Sequence, residues 1–93
     1  MLHTFAKEYT FEDKTYTEID IPLDNLQGSD IEKIQKQWRA AGNMAPLPVL
    51  DMSFCIRCAA AAAHLPLEFF EHLPGREYLW LTQKVSDFFL ISD

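Results

Sequence analysis

Five prolines, at positions 22, 46, 48, 66 and 74, most constrain what this 93-residue chain can fold into. Proline lacks the backbone N–H and fixes φ, so neither a helix nor a sheet ladder runs freely through it. Pro22 therefore ends whatever ladder precedes it. Pro46 and Pro48, one residue apart in "NMAPLPVL" (43–50), disfavour helix and mark a stiff connector. Pro66 and Pro74 each suit the first position of a new helix, where a missing N–H costs nothing. The two Leu-Pro steps in "HLPLEFFEHLPGREYLW" (64–80) are read as corners that fold helices back on one another.

Residues 3–21, "HTFAKEYTFEDKTYTEIDI", alternate and are rich in Thr, Tyr, Phe and Ile, a hairpin pattern with "EDK" as its turn. Phe5, Tyr9 and Phe11 share one face of the first strand. Thr15, Thr17, Ile19 and Ile21 share one face of the second. A three-residue loop over 12–14 brings both sets to the same side and is preferred. A two-residue loop would instead place Tyr16 with Tyr9. Two strands alone are marginal, so the apolar face needs helices against it.

Four helices follow, at about 30–41, 52–64, 66–72 and 74–90. Ser29 is read as the cap of the first, with Glu32 completing a capping box. Its apolar stripe is Ile31, Ile34, Trp38 and Ala41, and Gly42 stops it. Asp51 caps the second helix. Only Ser53 and Arg57 interrupt the apolar surface of "MSFCIRCAAAAAH" before His64, which predicts a buried central helix. The expected fold class is α+β: one domain, an N-terminal β-hairpin packed on a small bundle of three to four α-helices.

Hydrophobic content of 48% supports a packed core, and the formal charge of −6 disfavours nucleic acid, whose phosphates demand a basic face. No apolar run approaches the ~20 residues of a membrane span. The first residues lack the charged start and apolar centre of a secretory signal, so the cytoplasm is the expected compartment. No cofactor is implied.

The chemistry-bearing motif is "CIRC", Cys55 to Cys58. A C-x-x-C pair can lower a thiol pKa at a helix N-terminus and exchange disulfides, but that role wants a β-α-β framework around it. Upstream here lies a proline-broken connector, so two small buried hydrophobes are the preferred reading. A thiol-disulfide oxidoreductase remains the alternative. For zinc, His64 lies about 180° around a helix from Cys55, which does not converge a tetrahedral site. His64 and His72 are read as cap or corner residues. Asp20 with Asp24, and Glu68 with Glu71, are surface charge. Ser29 and Ser53 have no evident base partner. No phosphate loop or catalytic set stands out, and a non-enzymatic role is expected.

The last helix is more informative. Tyr78, Leu81, Val85, Phe88 and Phe89 form its core stripe at helical spacing. Leu79 and Leu90 lie about 100° or more off that stripe, and Trp80 and Ile91 lie nearly opposite it. So small a domain cannot bury every face of a surface helix. Either this one is central and these residues pack under the hairpin, or it presents them to another chain, the preferred reading. Leu79, Trp80, Leu90 and Ile91 are therefore the candidate partner-binding residues.

"YTFEDKTYTEIDI" (9–21), "GSD" opening a helix, and an Ala-rich helix feeding "LPLEFFEHLPGREYLWLTQKVSDFF" (65–89) together resemble the small tail assembly chaperones of long-tailed bacteriophages. The likeness spans nearly the whole chain outside the connector. It departs at His64, where the family commonly has Gly, and at 75–77, where it often has Asp. The resemblance implies a chaperone that holds the phage tape measure protein soluble until tail tube subunits polymerise and displace it. It also implies action in the host cytoplasm, absence from the mature virion, possible homo-oligomers and a frameshifted longer form as further partners. A generic adaptor for helical partners would use the same surface.

Overall fold

The computed structural model describes residues 1–91. Strand β1 (Leu2–Phe11) pairs antiparallel with β2 (Lys14–Asp20), and four helices follow: α1 (Gly28–Ala40), α2 (Met52–Ala63), α3 (Leu67–Glu71) and α4 (Gly75–Leu90). The chain thus has the α+β architecture its patterning predicts. A short 3-10 turn, Leu23–Asn25, leads into α1, and another, Pro48–Leu50, closes the connector.

The hairpin departs from expectation at its turn. Glu12 and Asp13 alone make the loop, with φ of 50° and 65°. Two left-handed residues in succession give the type I′ geometry that suits strand twist. The preferred three-residue loop is therefore wrong, and Tyr16 does stand opposite Tyr9. Ile19 is buried all the same, because the register shifts. Thr4 faces Glu18 and Tyr9 faces Tyr16, so β1 places residues 5–8 where β2 has Thr17 alone. The surplus is odd, and an odd slip exchanges the faces of a strand. Tyr16 near the turn and Ile19 beyond the irregularity consequently both reach the core side.

The hairpin rests on Phe69 of α3. That ring is fully buried and meets Tyr16, Tyr9, Phe70 and Phe11 edge-on at centroid distances of 4.9, 5.1, 5.1 and 5.3 Å. Such contacts add roughly 0.5–1.5 kcal/mol each beyond area burial. The Tyr9 hydroxyl donates to the Phe69 carbonyl at 2.6 Å. The Phe pair between the Leu-Pro corners is therefore core.

Helix α2 lies at the centre, burying Phe54, Cys55, Ile56, Cys58, Ala59 and Ala62. Asp51 caps it as expected, accepting from the N–H groups of Ser53 (2.9 Å) and Phe54 (3.3 Å). Trp38 of α1 is fully buried, and its Nε1–H donates to Ser53 Oγ at 2.8 Å; that hydroxyl in turn donates to Asp51. A helix cap and a core tryptophan are thereby tied into one polar chain. This holds the Asp51 carboxyl below its ordinary range, mainly through the Ser53 hydroxyl.

The cap of α1 is a correction. The helix begins at Gly28, one residue ahead of Ser29, and the Asp30 carboxylate reaches back to the Gln27 N–H at 2.8 Å. Ser29 and Glu32 do not form the box; it sits two residues earlier, and Asp30 also favours the positive end of the helix dipole. Ile34 and Trp38 are buried and Ile31 half-buried, but Ala41 lies past the helix end and is exposed. Gly42 terminates the helix with φ of 100°. Pro66 and Pro74 stand at the N-caps, one residue before the first helical position assigned to them.

Candidate partner-binding surface

Helix α4 buries Leu81 and Val85 and half-buries Tyr78, Phe88 and Phe89, the stripe its spacing predicts. Its outer side is apolar too. Leu79, Trp80, Leu90 and Ile91 are 55%, 46%, 55% and 72% exposed.

These four do not form one patch. Each residue turns about 100° along a helix, so Leu79 and Leu90 share one line, while Trp80 and Ile91 share another about 100° around. Members of each pair stand some 16 Å apart along the axis. Gln83 and Asp87, hydrogen-bonded to each other at 2.9 Å, and Lys84 occupy the turns between them.

The connector closes part of that gap. Leu50 and Met52 line a shallow depression of about 160 Å³ with Thr82, Gln83 and Ser86. Gln83 and Ser86 lie on the Leu79–Leu90 line, so Leu50 and Met52 supply apolar surface beside its polar middle. Both are exposed, as are Leu47 and Met44. Next to them Ile31, Leu47, Pro48, Val49, Phe54 and Phe89 line an almost wholly apolar groove of about 340 Å³. The strip thus runs from Leu79 past Met52 and Leu50 to Leu90, with the groove alongside. Trp80 and Ile91 lie on the other flank, toward β1, and the Arg76 guanidinium covers Trp80 at 5.6 Å from the ring.

Sequence reading took 43–50 for a stiff connector and missed its three exposed apolar side chains, Met44, Leu47 and Leu50. The signal was present: residues 43–50 carry no charge, yet hold Met44, Leu47, Val49 and Leu50. An uncharged apolar loop has either a core to enter or a surface role.

The remaining candidates separate clearly. Cys55 and Cys58 are free thiols, both buried. Burial, reinforced by the nearby Asp51 carboxylate, pushes the Cys55 thiol up to about 11; burial and then Cys55 push Cys58 up to about 12. Cys55 donates to the Val49 carbonyl at 3.2 Å. Disulfide exchange requires an accessible thiolate, and this environment suppresses both properties. His64 occupies the left-handed C-cap of α2 with φ of 57°, and His72 caps α3. Among the described residues, no three His, Cys, Asp or Glu side chains converge on a metal position. No helix there is long and apolar enough to cross a membrane.

Among the described residues, fold and surface together define a small α+β domain with an apolar strip open to solvent. Comparison finds no match for the chain among family models, curated proteins or solved structures.

Proposed function

We propose that this chain is a tail assembly chaperone of a long-tailed bacteriophage. It acts in the host cytoplasm by holding apolar helical segments of the tape measure protein until tube subunits displace it. The observation that carries the binding role is the strip from Leu79 across Met52 and Leu50 to Leu90, with its flanking groove. An amphipathic helix laid in such a groove buries its own apolar face, and a strip this narrow favours release over permanent union. The phage assignment rests on the sequence resemblance. His64 departs from the Gly common in that family, at a position whose left-handed conformation Gly adopts without strain. The charge of −6 keeps a coated complex soluble.

Co-expression with a tape measure protein of a long-tailed bacteriophage tests the reading. Leu50→Ser with Leu79→Ser is expected to abolish co-purification while leaving the circular dichroism unchanged. Trp80→Ala with Ile91→Ala, on the other flank, is expected to weaken it less. Wild-type protein that fails to retain the tape measure protein would refute the assignment. Equal losses from both pairs would extend the surface around α4.

A further inference from the structure

A second cluster lies away from the apolar strip, where β1 crosses α4. His3 is 1% exposed and Glu77 6%. His3 Nε2 lies 2.9 Å from Glu77 Oε1, and Lys84 Nζ lies 3.1 Å from His3 Nδ1. The second Glu77 oxygen accepts the Ala6 N–H at 3.3 Å. These bonds fasten the start of the chain to its last helix. We infer that Lys84, His3 and Glu77 form a protonation-operated latch that holds the hairpin on α4 and releases it in mild acid.

The protonation states follow from the donors. An ammonium has only donors, so Nδ1 accepts from Lys84 and the ring proton sits on Nε2, donating to the Glu77 carboxylate. Both nitrogens of the neutral ring are satisfied. An added proton can enter only at Nδ1. It would remove the acceptor Lys84 uses and set two positive groups 3.1 Å apart beside a buried ring.

Around the cluster, Lys7, Glu8 and Arg76 line one depression together with Glu77. From β2 the residue opposite is Ile19, with exposed Glu18 and Asp20 on either side, and Asp20 lies 3.6 Å from the Met1 amino group. On its own strand His3 meets the Phe5 ring at 5.1 Å. His72, at the far end of the hairpin, faces Phe11 at 6.3 Å. Burial lowers the His3 pKa; the Glu77 hydrogen bond opposes this, and Lys84 pushes it down further.

The sign is fixed by that direction. Above the unfolded imidazole value of about 6.5 the ring is neutral whether latched or free, and the latch is fully stable. As pH falls below it, the freed ring takes up a proton that the latched ring resists, so opening gains ground. The stabilisation is fully lost once pH passes below the latched pKa.

Amide hydrogen exchange from pH 7.5 to 5, expressed as protection factors, tests this on the whole chain. The paired hairpin amides are expected to lose protection, about tenfold for each unit by which the ring is held down, while α2 amides do not. His3→Gln should erase that difference, and His72→Gln should preserve it. Equal loss in hairpin and α2, or a hairpin response that survives His3→Gln, would overturn the latch. Should His3→Gln not fold, the ring titration of the wild type still decides: a His3 midpoint at or above 6.5 overturns it.

Discussion

The two sides of this molecule handle apolar surface in opposite ways. Under the hairpin, Phe69 is enclosed by aromatic rings, and the polar atoms nearby are matched: the Tyr9 hydroxyl to a carbonyl, the Glu77 carboxylate to an imidazole and a backbone N–H. Across the molecule, the connector and the outer side of α4 hold Leu47, Leu50, Met52, Leu79 and Leu90 open to water. Similar apolar residues serve cohesion on one side and stand unclaimed on the other. What separates them is enclosure: Phe69 is fully buried among rings, whereas the connector packs its 3-10 turn on α2 and leaves Leu47 and Leu50 exposed.

The sharpest way to break the comparison is Phe69→Ala. Emptying the middle of the aromatic seam should lower stability by about 3–5 kcal/mol, read from the urea midpoint. A loss under 1 kcal/mol would mean that the seam is not the anchor it resembles.

Next in size is thiol protection. A pKa raised from 9 to about 11 leaves Cys55 roughly a hundredfold less thiolate than the unfolded chain at neutral pH. Alkylation of native protein should therefore be at least about a hundredfold slower than in urea. Rapid native alkylation would move the cysteines out of the enclosed side.

His64→Gly should stabilise by about 1 kcal/mol, because it relieves a left-handed non-glycine residue at the helix end. The midpoint of thermal unfolding reads it. The smallest effect belongs to the open side: Leu50→Ser with Met52→Ser should change stability by no more than about 0.5 kcal/mol while reducing binding of an apolar dye. A large loss of stability there would show that the strip is core after all.

Much of the fold was legible because proline and capping chemistry act locally. Pro66, Pro74, Asp51 and Gly42 set helix ends within a residue or so, and the apolar surface of 52–64, broken before His64 only by Ser53 and Arg57, marked the central helix. The hairpin register was not legible. Glu12 and Asp13 make a turn that usually advertises itself with Gly, and the three surplus residues of β1 have no local signature. The α1 cap was misplaced because Ser29 and Glu32 fit the same pattern that Gln27 and Asp30 fulfil. At the candidate site, α4 was readable from its period, whereas the connector's part depends on tertiary placement. His3 and Glu77 lie 74 positions apart, and no spacing rule joins them.

The unequal hairpin has a consequence for crowding. Domains that display apolar ground need some guard against adhering to each other along bare strand edges. A ribbon with four residues on one rail against one on the other bends, and a bent rail offers a straight neighbour no long run of matching amides and carbonyls. Such a shape discourages stacking of copies into sheets, and leaves the greasy strip as apolar ground still open to contact.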